Sequence, residues 1–368
     1  MRFHGEAFRG GLRLFASNPR CLLRGTRYGV NCPANLKSIL RPPLNSKAFS
    51  RRRFLTVGSL GLCGAWAGAS EILPARLLRG FIAENRRDLL NCAGLPMPAL
   101  WNPNTITAAW LGHASVLINF HGVTILTDPV LFNRIGADTP FGTIGPKRLI
   151  QPGLAPAQLP HIDLVLLSHA HMDHLDPATL RCLPATTKAV TARSTKDLLG
   201  DMKFKEPKEL AWGEKTMVTT ANGEVEIEAF EVNHWGSRWK YDQKRGYNGY
   251  VISRGGKKII FGGDTAWSDS FGKLRSKGPF EMAIMPIGAY DPWIFAHCSP
   301  EQAVKMANQA GAKYFLPVHF NTFAFGREGT VEPIERMEAA IEAERIAWRS
   351  VGETFCLDRQ FKPVAELA

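Results

Sequence analysis

Residues 162–174 read Ile162-Asp163-Leu164-Val165-Leu166-Leu167-Ser168-His169-Ala170-His171-Met172-Asp173-His174. The first part is an almost continuous apolar run rather than an alternating one, the pattern of a strand buried on both faces. Directly after it, His169, His171, Asp173 and His174 fall within six residues. A turn at the end of a buried strand swings three imidazoles and a carboxylate into one cleft, and that nitrogen and oxygen set is what zinc takes at catalytic sites. One turn supplies too few ligands for two metal ions, so this reading predicts more of them at the ends of other strands.

Candidates stand where the argument needs them. His234 follows the strand-like segment 225–232, Asp264 follows Ile259-Ile260-Phe261-Gly262-Gly263, and His319 follows segment 314–318. Further strands are expected at 107–111, 114–120, 123–127, 249–253, 258–261 and 281–285, with His121-Gly122 as a hairpin turn. Helices are expected at 177–183, 194–199, 300–310 and 333–344. Two groups of strands, each closed by helices, predict an α/β layered sandwich with the helices outside. A helix over 71–90 and an irregular arm to 104, broken by Pro96, Pro98 and Pro103, precede a catalytic domain spanning 105–368.

The 368 residues carry a net charge of +12, but the charge is not spread evenly. Residues 1–90 hold 16 Lys and Arg against four acidic side chains, and the remainder holds 29 of each sign. No basic run stands out in that neutral remainder, which argues against a nucleic-acid-binding face. The seven cysteines form no CxxC pair, so neither a disulfide framework nor a cysteine zinc site is indicated. Within 1–70, Ser50-Arg51-Arg52-Arg53-Phe54-Leu55 precedes a small and apolar run, and this resembles a twin-arginine export signal. Export to the periplasm is the expectation; an organelle-targeted or cytoplasmic chain is the alternative.

The His-x-His-x-Asp-His run, a later His, Gly262-Gly263-Asp264-Thr265 and a final His resemble the metallo-β-lactamase superfamily, whose fold is an αββα sandwich of two β-sheets. Within it the chain is similar to the N-acylphosphatidylethanolamine-hydrolysing phospholipase D branch, with ascorbate-6-phosphate lactonase-like proteins nearby. That likeness rests on Trp110-Leu111-Gly112-His113-Ala114-Ser115, Leu126-Thr127-Asp128-Pro129, Gly145-Pro146-Lys147-Arg148, Pro286-Ile287-Gly288-Ala289-Tyr290 and Val318-His319-Phe320-Asn321-Thr322-Phe323. It implies two Zn2+ ions, with iron or manganese as other metals the fold takes. His169, His171 and His234 would hold one ion, Asp173, His174 and His319 the other, and Asp264 would bridge them. Two zincs about 3.5–4 Å apart can share a hydroxide and clamp both oxygens of a phosphodiester. Asp173 and Asp264 are thereby catalytic as well as ligating.

His297 matches a histidine near the metals in that branch, where it would bind phosphate or protonate the leaving group; it also reads as a cap for the helix beginning near Pro300. His113 reads as a hydrogen-bonding partner behind the ligands or a contact for substrate, and Tyr290 as a further substrate contact. Trp235, Trp239 and Trp293 either line an acyl groove or pack the core. The expected activity is a phospholipase D-type phosphodiesterase on an N-acylated phospholipid, with peripheral membrane contact. A lactonase or other ester hydrolase is the competing enzyme, and a non-catalytic metal-binding protein the competing class.

Overall fold

The computed structural model describes residues 83–358 except 141, 240, 241 and 243. The arginine pair of the leader, Cys63 and the first part of the helix expected at 71–90 lie outside the described residues. Residues 83–86 are helical, and from 87 the chain runs irregularly. The arm is hydrogen-bonded onto the rest of the protein: Leu90 N–H donates to Leu149 O (2.9 Å), Gln151 N–H to Leu90 O (2.8 Å) and Ala93 N–H to Val351 O (2.9 Å).

The strands β1 (Ile106–Gly112), β2 (Ser115–Phe120) and β3 (Val123–Thr127) form an antiparallel meander. His121 and Gly122 take positive φ (49° and 90°) between β2 and β3, matching the twist of a two-residue hairpin turn. A small hairpin, β4 (Ala137–Thr139) and β5 (Gly142–Ile144), follows. Then β6 (Leu164–Leu167), β7 (Lys188–Ala192) and β8 (Lys208–Leu210) extend the meander in parallel from β3. The second sheet repeats the plan. β9 (Lys215–Thr220), β10 (Gly223–Phe230), β11 (Gly249–Arg254) and β12 (Lys257–Phe261) are antiparallel, and β13 (Phe280–Pro286) and β14 (Ala312–Val318) continue in parallel. The last strand, β15 (Thr354–Cys356), pairs with β1, so the sheets read β15-β1-β2-β3-β6-β7-β8 and β14-β13-β12-β11-β10-β9.

Alternation along buried strands sorts the apolar side chains into two layers. Trp110, Ile118, Leu164 and Leu166 join Ile227, Ile252 and Phe261 of the second sheet in one large core. Ala109, Leu117, Val165 and Leu167 face the other way and pack with Leu180 and Leu183. Leu180 ends α1 (Pro177–Leu180), whose cap Asp176 accepts from the Ala178 and Thr179 amides. Over the second sheet lie α2 (Ser270–Leu274) and α3 (Pro300–Ala310). The ends of α3 are written locally: Ser299 and Gln302 form a capping box, Pro300 takes the first turn, and Gly311 closes the helix at φ 82°. The result is the α/β sandwich expected, two mixed sheets with helices outside.

Local expectations needed correction. The helix expected at 177–183 stops at Leu180, that at 194–199 is only a 3-10 turn (Lys196–Leu199), and that at 333–344 is α4 (Glu332–Glu338) followed by a 3-10 turn at Ala343–Arg345. β4, β5, β7, β8, β9 and β15 were not anticipated, because they are short or rich in Lys and Thr and lack a strong apolar period.

Phe261 is fully buried between the sheets. Phe261→Ala should destabilise the protein by about 3–5 kcal/mol in chemical denaturation. A loss below about 1 kcal/mol would mean that the two sheets do not share one close-packed core.

Candidate metal centre

The parallel pairing of β3 with β6, and of β12, β13 and β14 with one another, sets the carboxyl ends of strands along one rim. Loops leaving those ends carry the chemistry, as in other sheets with this direction of chain. Asp128 follows β3, His169 to His174 follow β6, Asp264 follows β12 and His319 follows β14. His113 sits in the turn from β1 to β2, and His234 lies beyond β10.

Three imidazoles form one group. His169 Nε2 lies 2.8 Å from His171 Nδ1, and His234 Nε2 lies 3.3 Å from the same atom. Asp173, His174, His319 and His113 form a second, with Asp173 Oδ2 2.9 Å from His113 Nε2 and 3.5 Å from both His174 Nε2 and His319 Nε2. Asp264 stands between the groups. Its Oδ2 is 3.0 Å from His174 Nε2, 3.1 Å from His319 Nε2 and 3.8 Å from His234 Nε2. His297 Nδ1 approaches that oxygen to 3.8 Å. The seven residues singled out as ligands are thus brought together, and His297 with them.

Three of the ligand rings, those of His169, His174 and His234, are oriented from behind. His174 Nδ1–H donates to Asp128 Oδ2 (2.6 Å), leaving Nε2 for the centre. Asp128 also accepts from the Ser168 amide (2.7 Å) and the Ser168 hydroxyl, and that hydroxyl oxygen accepts from His169 Nδ1–H at 2.8 Å. His234 Nδ1–H donates to Ala296 O (2.8 Å). His113 is 1 % exposed; its amide donates to Thr322 Oγ1 and its carbonyl accepts from Trp110 Nε1 and from the His319 amide. The structure therefore sets it against Asp173 rather than at the surface. Asp128, Ser168 and Ala296 were missed as site residues; Asp128 belongs to a quoted motif, but nothing in its spacing marked it as a partner for His174.

The backbone is held in costly conformations here. His113, Asp128 and His319 all have φ between 32° and 65°, a region that costs a non-glycine residue about 1–3 kcal/mol. Gly288 has to be glycine for a different reason, since a Cβ there would lie 2.2 Å from His319 O. Beneath Gly112, the fully buried Arg148 guanidinium donates to the carbonyls of Leu111, Val130 and Ile150, tying the turn that bears His113 to the loop that bears Asp128.

Electrostatics complete the case for a cation. Burial pushes the Asp173 and Asp264 carboxyls up, but His174 and the neighbouring ring N–H groups outweigh it and hold both well below the usual range. Burial pushes His174 and His319 down, yet Asp264 and its companion carboxylates raise His174 well above its ordinary value and His319 to about 9. Desolvation dominates elsewhere, lowering His169 well below its usual value, His234 to about 3 and His297 to about 4. The two carboxylates thus favour protons on the two rings that face them. Among the described residues, His174 Nε2, His319 Nε2, Asp264 Oδ1 and His297 Nδ1 are buried without a hydrogen bond of good geometry. Orphaned nitrogen and oxygen donors around buried carboxylates fit divalent metal, which would take the place of those protons. The residues that would hold it are His169, His171 and His234 on one side and Asp173, His174 and His319 on the other, with Asp264 reaching both.

Two other predicted positions lie differently. Trp235 is 39 % exposed and stacks on His234, with ring centroids 4.5 Å apart at 29°. Tyr290 is nearly buried, and its hydroxyl donates to Glu332 Oε1 (2.8 Å) under the Arg336 guanidinium, rather than toward the ligand cluster.

A β-lactamase superfamily domain matches residues 124–320. The chain belongs to the metallo-β-lactamase superfamily. An uncharacterised protein of Mycobacterium tuberculosis is 30% identical over 250 residues, which are 66% of this chain and 65% of that one, so the chain spans slightly under two thirds of this relative. A Caenorhabditis elegans protein named N-acyl-phosphatidylethanolamine-hydrolyzing phospholipase D 1 is 31% identical over 251 residues, 64% of this chain and 70% of its own length. Among solved structures, the metallo hydrolase Igni18 of Ignicoccus hospitalis superposes with a TM-score of 0.51 at 23% identity, over 70% of this chain and 100% of that one; this likeness concerns the fold.

Asp128→Asn keeps the shape of the side chain and removes the charge that holds His174. It should lower metal affinity by about 10–100-fold in competition with a chromogenic chelator. Unchanged affinity would show that His174 does not depend on Asp128 for its orientation.

Proposed function

We propose that the protein is a phospholipase D-type phosphodiesterase that cleaves N-acylphosphatidylethanolamine-like phospholipids, releasing an N-acylethanolamine and a phosphatidate, with two zinc ions bound. The observation that carries this reading is the placement of Asp264 Oδ2 between two groups of ligands, within 3.8 Å of nitrogens from both. Two ions held that way would supply Lewis acidity and an acidified water for attack on a phosphodiester. The relatives named for N-acylphosphatidylethanolamine hydrolysis, in worm and yeast, support the substrate class.

His297 supplies what the ligands do not. Its ring is neutral at pH 7, because burial lowers it to about 4, and its Nδ1 faces the centre without a partner. In this reading it donates a hydrogen bond to a phosphoryl oxygen of the substrate. Asp173, held by His113, keeps its charge beside the attacking water and orients it.

The test is release of N-acylethanolamine from N-acylphosphatidylethanolamine by the metal-loaded full chain, run beside a lactone and a simple ester. Diester cleavage that disappears in Asp264→Asn is the expected result. Turnover of the lactone alone would move the reading to a carbonyl hydrolase, and metal uptake with no turnover of any substrate to a binding protein.

We also propose export by the twin-arginine route, on the strength of Ser50 to Leu55. Replacing Arg51 and Arg52 together by Lys should retain the protein in the cytoplasm on cell fractionation. Equal recovery from the periplasm would remove this proposal.

A further inference from the structure

The turn from Ala170 to Leu175 carries three ligands, and its internal bonds do not by themselves fix where they point. The His174 and Leu175 amides donate to His171 O at 3.1 and 2.9 Å, which coils the turn without anchoring it. His174 has Asp128 behind it. Among the described residues, the polar contacts of the His171 ring are with His169 and His234, themselves ligands, so the backbone of the turn decides where that ring stands.

One guanidinium anchors that backbone. Arg238 Nη1 donates to Ala170 O and to Leu175 O, at 2.9 Å each, so a single nitrogen closes the two ends of the turn. Both acceptor residues are fully buried, where a carbonyl has to find its donor within the protein. The two hydrogens of that nitrogen point in fixed directions, a geometry that an ammonium on a flexible stem does not share. Arg238 comes from the ligand segment of the other sheet, four residues after His234. That segment is itself firmly seated. A Cβ on Gly236 would lie 2.4 Å from both Arg245 O and Gly246 O, and the Gly246 amide donates to Arg193 O at 2.7 Å. The Asn248 amide donates to Ser168 O at 3.0 Å, and Tyr247 bridges to His169. The chain leaving His234 thus grips the ligand loop where it starts, at Ser168 and His169, and again through Arg238 at both ends of the turn.

We infer that Arg238 is a positioning residue of the metal centre: it holds the turn bearing His171, Asp173 and His174 in register with His234, so that ligands from the two sheets meet at one spacing. The inference rests on the metal-binding reading of the centre and is independent of the choice of substrate. Metal uptake is measurable without turnover, so this role and the phosphodiesterase reading can fail separately.

The test measures metal on the full chain. Arg238→Ala should lower Zn2+ affinity by about 10–100-fold in competition with a chelator. It should also alter the visible absorption of the Co2+-loaded protein, whose bands follow ligand geometry. Guanidinium chloride, added well below denaturing concentration, should restore part of both by refilling the donor position. Arg238→Lys keeps a donor in place should the alanine variant not fold, and it should bind Zn2+ at least about threefold more weakly than the wild type. Lys244→Ala removes an exposed positive charge from the same segment without touching the turn, and should change neither readout. Wild-type affinity and absorption in the Arg238 variants would overturn the inference; a raised KM for a chromogenic phosphodiester in those same variants would then give the guanidinium to the substrate. An equal loss in Lys244→Ala would also overturn it, assigning the effect to net charge. A wild-type chain that takes up neither metal would end the metal-centre reading, and this inference with it, before any variant is compared.

Discussion

The Asp128 carboxylate, 0 % exposed, fastens the end of β3 to the end of β6. It accepts from the Ser168 amide and hydroxyl and from His174 Nδ1–H, so a single anion fixes the backbone at the start of the ligand loop and the ring at its end. A buried carboxylate is costly unless its lone pairs are engaged. Here that engagement and the orientation of the ligands are the same set of contacts. The sheet supplies the rest: parallel neighbours bring Asp264 and His319 to the same rim, and β10 delivers His234 from the side.

What binds metal is also what strains the fold. Left-handed backbone at His113, Asp128 and His319, orphaned nitrogens on His174 and His319, and the desolvated carboxylates of Asp173 and Asp264 all weigh against stability. The closely packed layers on either side of the first sheet and the arm bonded to Leu149 and Val351 offset that burden. Proteins commonly hold such strain where they act, and here His113, Asp128 and His319 carry it at one rim.

The fold was legible because its central buried strands announce themselves. Leu164 to Leu167 is apolar at every position since both its faces are covered, and β12, β13 and β14 each end in an apolar run. The candidate ligands were legible because polar side chains of metal-binding type follow those strands at once. Less could be read where the signal is a backbone atom or a distant neighbour. Ala296 acts through its carbonyl, which no residue type encodes, and Asp128 becomes a partner of His174 only when β3 lies against β6. The short strands β7, β8 and β15 take their pairing from the sheet around them rather than from their own periodicity.

The contact between His234 and Ala296 O has a consequence for how such a protein can diversify. Exposed side chains on the rim loops are free to change as substrates change, because the sandwich below does not rest on them. The turn at 293–297 is freer in composition than in length. Trp293, Ile294 and Phe295, exposed in a turn closed by the Ala296 and His297 amides on Trp293 O, can change without disturbing the centre, while one residue inserted or lost would move the carbonyl that sets a ligand's tautomer. Selection on this segment should therefore leave a record of substitutions and almost no gaps.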